Sequence, residues 1–379
     1  MNGVTILIAG DYSPKECFQK AIDDGDYKDL FQGLREIISS ADYSVVNFET
    51  TIPTLESKPI EKVGSHLYAK ENSLEPLKYL GFKMLTMANN HFLDYGSDAL
   101  KNSKKLAKDN GFDTVGAGDN LSEARKYKVV DIKGCRVAFI NVCEHEFSIA
   151  TETQAGCNPL DIISVTYDIK SAKNESDYVI VIVHGGNEHY KLPSPRMKKM
   201  YRFFVDQGAD VVLNHHQHCY SGYEVYNGKP IFYGLGNFCF DSRSDIQLRH
   251  ETYNYGYMVK LELGETIAYE LIPYEQCFSK PGVYLLGEEE RVVFFKDIDK
   301  LNLTVADDDL LKSSFLQMAK QKRDFIYGGF RPYTGRISNA LYYRGLLPSF
   351  LSKKRLKAIS AVLECESHND VLLFNLKSE

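Results

Sequence analysis

The sequence predicts an α/β fold with open, layered sheets, and three of its features carry that prediction. Apolar runs alternate with segments of helical spacing from Val4 to about Ile272. The runs at 4–9 and 178–183 are continuous, the pattern of strands buried on both faces. Several runs stop at a side chain that can bind a metal or move a proton, and open α/β sheets bind ligands just beyond the carboxyl ends of their strands.

The elements follow in order. Residues 4–9 form a strand that Gly10-Asp11 ends with a carboxylate; a cap or turn role is the ordinary alternative for Asp11. Helical spacing covers 30–38. A second strand at 43–46 ends in Asn47-Phe48-Glu49, and Pro53 and Pro59 mark 50–64 as a loop leading to His66. A short helix at 74–80 precedes a strand at 81–87, which ends in Ala88-Asn89-Asn90-His91, with Asp94-Tyr95-Gly96 just beyond. Residues 97–110 read as an amphipathic helix and 113–116 as a short strand. Lys133-Gly134 joins hairpin strands at 129–132 and 136–142, and 159–172 reads as a helix.

The strongest strand, 178–183, ends in His184-Gly185-Gly186-Asn187-Glu188-His189, where glycine permits a tight turn and close backbone approach to a ligand. Pro195 opens a helix that runs to Gln207. A strand at 209–213 stops at Asn214-His215-His216-Gln217-His218, which holds three of the chain's ten histidines. Strand geometry sets His216 and His218 on one side of that turn. Asn227-Gly228 marks a hairpin between 223–226 and 231–233, and two more strands are expected at 255–263 and 266–272. The main domain is therefore expected to span 1–275. A C-terminal extension, 276–379, holds a helix-like stretch that follows Asp307-Asp308-Asp309 and runs to about Phe325, and one or two helices at 344–363, and its basic cluster Lys353-Lys354-Arg355 reads as a solvated face.

Composition narrows the function classes. With 44% hydrophobic and 25% charged residues the chain is an ordinary globular sequence with enough apolar content for a large core. A net charge of -6 gives no global attraction to nucleic acid or to an anionic membrane. No apolar run approaches the roughly 20 residues that span a bilayer, and the first residues read as a strand, not a leader. The eight cysteines are scattered without a C-x-x-C pair, which points to reduced thiols and a cytoplasmic location.

Asp11, Glu49, Asn90-His91, His184 and His216-Gln217-His218 all follow strands, so the fold would gather them at one sheet edge. Carboxylate, amide and imidazole donors together suit Mn, Zn or Fe as one or two divalent ions. Glu49 is the carboxylate expected to bridge such a pair. Other candidates have plainer readings. Asp94 could cap the helix near Ser97, His66 could be a loop residue, and His145 between Glu144 and Glu146 could be a surface ion-pair residue. His215 fits packing better than ligation, Asn237 could serve only its turn, and Cys219 and Cys239 read as small buried apolar residues.

These segments, together with Gly228-Lys229-Pro230-Ile231 and Gly234-Leu235-Gly236-Asn237-Phe238, resemble the CapA-like proteins associated with capsule and poly-γ-glutamate synthesis. That family is in turn similar to calcineurin-like metallophosphoesterases. The resemblance runs from about Thr5 to Phe240 and through the later strands to about Pro273. It implies a four-layer α/β/β/α sandwich, with Asp11, Glu49, Asn90, His184, His216 and His218 as metal ligands. His91 would be the catalytic proton donor, Asp94 would hold its imidazole, and Glu188, His189 and Asn237 would lie nearby as substrate-facing groups. One departure stands out: phosphoesterases of this kind carry Asp-x-His in the first segment, and here it is Asp11-Tyr12-Ser13. The centre could then hold a single metal, or bind the second weakly, or His66 or His189 could supply the missing imidazole.

The function expected is a metal-dependent hydrolase acting on a phosphoester, polysaccharide or peptide-type substrate in cell-surface polymer biosynthesis, with partners in a polymer-synthesis complex. Neither nucleic acid binding nor membrane insertion is expected. Two alternatives remain open on the same scaffold: a metal-poor acid-base enzyme directed at peptides, such as an epimerase, and a non-catalytic accessory subunit of a polymer synthase.

Overall fold

The structure is a computed structural model that describes residues 3–240, 251–277, 281–333 and 335–378. The chain divides into two compact units, Met1–Ser313 and Ser314–Glu379. Two large sheets and a two-stranded one, Ala117–Gly118 with Gly156–Cys157, lie in the first unit. One is eight-stranded, in the order Val283–Leu285, Ile267–Gln276, Tyr255–Leu263, Val4–Tyr12, Tyr43–Phe48, Met84–Thr86 and Asp113–Val115, with Asn237–Cys239 joining the end of Val4–Tyr12. The other is six-stranded, in the order Tyr223–Tyr226, Lys229–Phe232, Val211–His215, Tyr178–His184, Cys135–Cys143 and Lys128–Ile132.

Three apolar clusters establish the layers. Ile6, Ile8 and Val45 of the first sheet meet Phe139, Ile182 and Leu213 of the second in a shared core. On the outer face of the first sheet, Leu7 and Val46 pack under Leu34, Leu77 and Leu100 from three helices. On the outer face of the second, Val181 and Val212 pack under Ile169 and Phe204. The arrangement is therefore the four-layer α/β/β/α sandwich. Each fully buried Leu, Ile or Phe contributes about 1.5–3 kcal/mol relative to an exposed one.

Parallel pairing decides where the site lies. Val4–Tyr12, Tyr43–Phe48 and Met84–Thr86 run parallel in one sheet, and Cys135–Cys143, Tyr178–His184 and Val211–His215 run parallel in the other. Asp11, Glu49, Asn90, His184 and His216 thus all leave at carboxyl ends. The local signals in the sequence explain the connections. Asn227 and Gly228 adopt φ 49° and 75°, as a two-residue hairpin turn requires. Ser194 caps the helix Pro195–Asp206 by accepting from the Met197 amide at 3.2 Å.

Some boundaries differ from the sequence reading. The strand expected at 81–87 is only Met84–Thr86, because Gly81 ends the preceding helix in the left-handed region. The strand expected at 209–213 is Val211–His215, so His215 is a strand residue paired with His184. The expected domain boundary near 275 falls inside the first unit. Its strand Ile267–Gln276 is followed by Val283–Leu285 and by a helix, Glu288–Ala306, whose Phe294 and Ile298 enter the core between the sheets. A helical period diluted by acids concealed that helix. In the second unit, helices include Arg336–Tyr343 and Lys353–Glu364, the latter capped by Ser352, which accepts from the Arg355 amide at 3.2 Å. Among the described residues, no helix is long and apolar enough to cross a membrane.

Candidate metal centre

The edge of the sandwich brings six expected residues into one buried cluster. Ligand atoms of Glu49, His184 and His216 lie within 4.8 Å of one another, and so do those of Asp11, Glu49 and His218. Glu49 belongs to both groups: its Oε1 is 3.7 Å from His184 Nε2 and 3.6 Å from His218 Nε2. Asn90 completes the first group, with Oδ1 3.0 Å from His184 Nε2. The turn carrying the histidines is wound unusually. His216 and His218 have φ of 87° and 54°, and His189 opposite them has 60°. Three non-glycine residues in the left-handed region at one site store strain that the surrounding packing must offset.

Groups beyond the six expected ligands hold this cluster. Asn47 donates from Nδ2 to Asp11 Oδ1 at 2.7 Å, and the same atom lies 3.1 Å from His184 Nδ1. Thr86 fixes the amide by donating to Asn47 Oδ1 at 3.1 Å. The His216 amide donates to Asp11 Oδ2 at 3.3 Å, and His215 Nδ1 approaches Asp11 Oδ1 at 3.2 Å. Glu146 accepts from Asn90 Nδ2 at 2.9 Å and lies 3.6 Å from His216 Nε2. Its neighbour Glu144 pairs with Arg196 and accepts the Gly186 amide at 2.9 Å, which fixes the turn after His184. The signal for Asn47 was its place one step inside the strand end beside Glu49; nothing local distinguished it from an ordinary amide.

His91 and Asp94 form a second feature. His91 Nδ1 is 2.7 Å from Asp94 Oδ2, which also accepts the Leu67 amide at 2.7 Å. Asp94 makes no capping bond to the following helix, so its position beside His91 is the one realised. Lys62, missed from sequence, forms a buried ion pair with Asp94 and lies 3.2 Å from His91 Nδ1. Since a carboxylate only accepts, Nδ1–H points to Asp94 and the neutral ring carries its lone pair on Nε2.

Electrostatics follow from burial. Burial pushes the Asp11 carboxyl up, but the neighbouring His215, His184 and His218 outweigh it and hold the group well below the usual carboxylate range. Glu49 goes the other way: burial first, then the Asp11 and Glu188 charges, raise it well above its ordinary value. Burial lowers His184 and His218, and for His91 it outweighs the opposing pull of Asp94. Neither oxygen of Glu49 has a hydrogen-bond partner among the described residues, although the side chain is fully buried. An unpaired buried carboxylate is costly, and a divalent cation between the two histidine groups would satisfy it. The donor set fits a metal on that ground.

The remaining candidates are distributed as follows. His218 Nδ1 lies 2.8 Å from Asn237 Oδ1, and Asn237 also donates to the His218 carbonyl at 3.3 Å. The His189 ring stands 6.1 Å from that of His218, and Glu188 exerts its charge on both Glu49 and His218. His66 is not in the cluster's bonding network: its Nε2 meets the Ile60 carbonyl at 2.7 Å. Ser13, where phosphoesterases carry an imidazole, has a buried hydroxyl without a partner among the described residues. Cys219 and Cys239 are buried and form no disulfide among the described residues.

Comparison with known proteins agrees with this architecture. The family described as "Bacterial capsule synthesis protein PGA_cap" matches residues 5–242. The chain is 36% identical over 222 residues to the "Capsule biosynthesis protein CapA" of Bacillus anthracis, covering 56% of this chain and 54% of that one. It is 35% identical over 240 residues to the "PGA biosynthesis protein CapA" of Bacillus subtilis (strain 168), covering 62% and 61%. A "Probable polyglutamine synthesis accessory protein" of Mycobacterium tuberculosis is 26% identical over 212 residues, covering 52% and 56%. The chain thus spans between about half and three fifths of the length of the curated relatives it matches.

Proposed function

Since the chain belongs to the family of bacterial capsule synthesis protein PGA_cap, we propose that its histidine and carboxylate cluster is a metal-dependent hydrolytic centre for a phosphoester or related bond in cell-surface polymer biosynthesis. The observation that carries this reading is Glu49, a buried carboxylate whose oxygens have no hydrogen-bond partner among the described residues and lie within reach of two donor groups. Asp11, Glu49, Asn90, His184, His216 and His218 would hold the cation. When bound, it would polarise the substrate oxygen and lower the pKa of an adjacent water.

The chain's own residues supply the rest. Asn47 and the His216 amide aim Asp11, and Asn47 Nδ2 also lies 3.1 Å from His184 Nδ1. His91 moves the proton: with Nδ1 held by Asp94, its Nε2 accepts a proton and returns it to the leaving group, while Asp94 stabilises the charged ring. Glu188 and His189 would face substrate on the His218 side, whereas Asn237, expected there as well, is fully buried and holds the His218 ring. Metal analysis of protein purified without chelator, followed by hydrolysis of a generic phosphodiester, tests the proposal. Bound Mn, Fe or Zn and a turnover that falls in His91→Ala are expected. Protein that neither binds these ions nor turns over after their addition would overturn it.

A second reading rests on Ser13, whose hydroxyl cannot replace an imidazole ligand. Here the chain is an accessory subunit that uses the site to capture a ligand, in keeping with the printed name of the mycobacterial relative. Full polymer production in cells carrying His91→Ala with His216→Ala would favour it.

A further inference from the structure

The second unit has a charge opposite to that of the chain as a whole. Residues 314–379 hold eleven Lys and Arg against five Asp and Glu, a net charge of +6 in a chain whose total is -6. From Phe325 to Leu363 there is no Asp or Glu at all. Arg331 is used internally: it is buried, lies over the Tyr342 ring at 4.1 Å and pairs with Asp324 at 3.4 Å. The other six cations of that stretch, Arg336, Arg344, Lys353, Lys354, Arg355 and Lys357, are exposed, and none forms an ion pair with a carboxylate among the described residues.

Large apolar side chains are also exposed in this stretch. Ile337 is 79% exposed, Tyr343 65%, Leu346 66% and Phe350 54%, each in the same acid-free stretch as the six cations. A solvated face does not need them. A nucleic acid would use the cations but leave the aliphatic groups in water. A bilayer uses both, because apolar groups enter the boundary between headgroups and acyl chains while Lys and Arg meet anionic headgroups.

We infer that the second unit binds the surface of an anionic lipid bilayer, through the cations at 336–357 and the apolar groups between them. The unit lies on the surface and does not span it, since no described helix is long and apolar enough to cross. Binding is independent of the hydrolytic chemistry proposed for the first unit.

Sedimentation of the full chain with phosphatidylcholine vesicles, with and without phosphatidylglycerol, tests the inference. The chain should sediment with the anionic vesicles only, and added salt should weaken the binding. Reversal of three charges in K353E/K354E/R355E should reduce the affinity by about tenfold or more. A second variant, Ile337→Ser with Leu346→Ser and Phe350→Ser, keeps every charge and should also weaken binding. Circular dichroism and metal content of both variants should match the parent. Failure to sediment with anionic vesicles, unchanged binding in the charge-reversed variant, or tighter binding to duplex DNA than to vesicles would each overturn the inference.

Discussion

Asn47 Nδ2 lies 2.7 Å from Asp11 Oδ1, across two adjacent parallel strands whose pairing sets the residues opposite one another. This contact and the 3.1 Å approach to His184 Nδ1 join the two sheets at the site. Asn47→Leu keeps the volume but leaves a buried carboxylate with one fewer donor. We expect metal affinity to fall about 10–100-fold, with a stability loss of about 1–3 kcal/mol. Calorimetric titration with Mn or Zn measures the first; undiminished affinity would show that the amide is not an aiming group.

Asp94 serves two neighbours, His91 and the buried Lys62. Asp94→Asn should lower turnover about 10²–10⁴-fold through the mis-set imidazole, and leaving Lys62 buried without its partner should cost about 3–5 kcal/mol. Adding Lys62→Met should restore stability without restoring turnover. If the double variant regains both, Asp94 is a structural group only.

Glu49 gives a pH-dependent expectation for the metal-free chain. Burial and the Asp11 and Glu188 charges raise its carboxyl well above the ordinary carboxylate range, so its contribution to stability is fully present below that range and is lost as pH rises through the folded pKa. Glu49→Gln should therefore raise the melting temperature of metal-free protein at neutral pH and abolish the further rise that added metal gives the parent. A parent protein indifferent to metal in the same melts would remove the basis for a cation at Glu49.

Gly10 precedes Asp11 at a crowded crossing. A Cβ there would stand 1.9 Å from the Gly236 carbonyl oxygen, which accepts the Asp11 amide at 3.1 Å. Gly10→Ala should cost about 1–3 kcal/mol and displace Asp11, so that metal affinity falls with stability. Denaturant melts resolve the first effect, and an unchanged midpoint would mean that the Gly236 turn yields freely.

The sequence by itself determined the strand order along the chain, the layered α/β class and the strand-end residues from which the site is made. Those follow from apolar runs and from side-chain chemistry, both of which are local. Tertiary structure decided what depends on distant segments meeting. Asn47, Glu146 and Lys62 look like ordinary polar residues until the sheets and loops carry them to Asp11, Asn90 and Asp94. His215 becomes a strand residue beside Asp11, and His66 turns to the Ile60 carbonyl. The helix Glu288–Ala306 joins the sandwich because Phe294 and Ile298 find apolar surface contributed by strands far away in the chain. Periodicity reports which face of an element is apolar; only packing fixes which surface it covers, and so which polar groups are buried together.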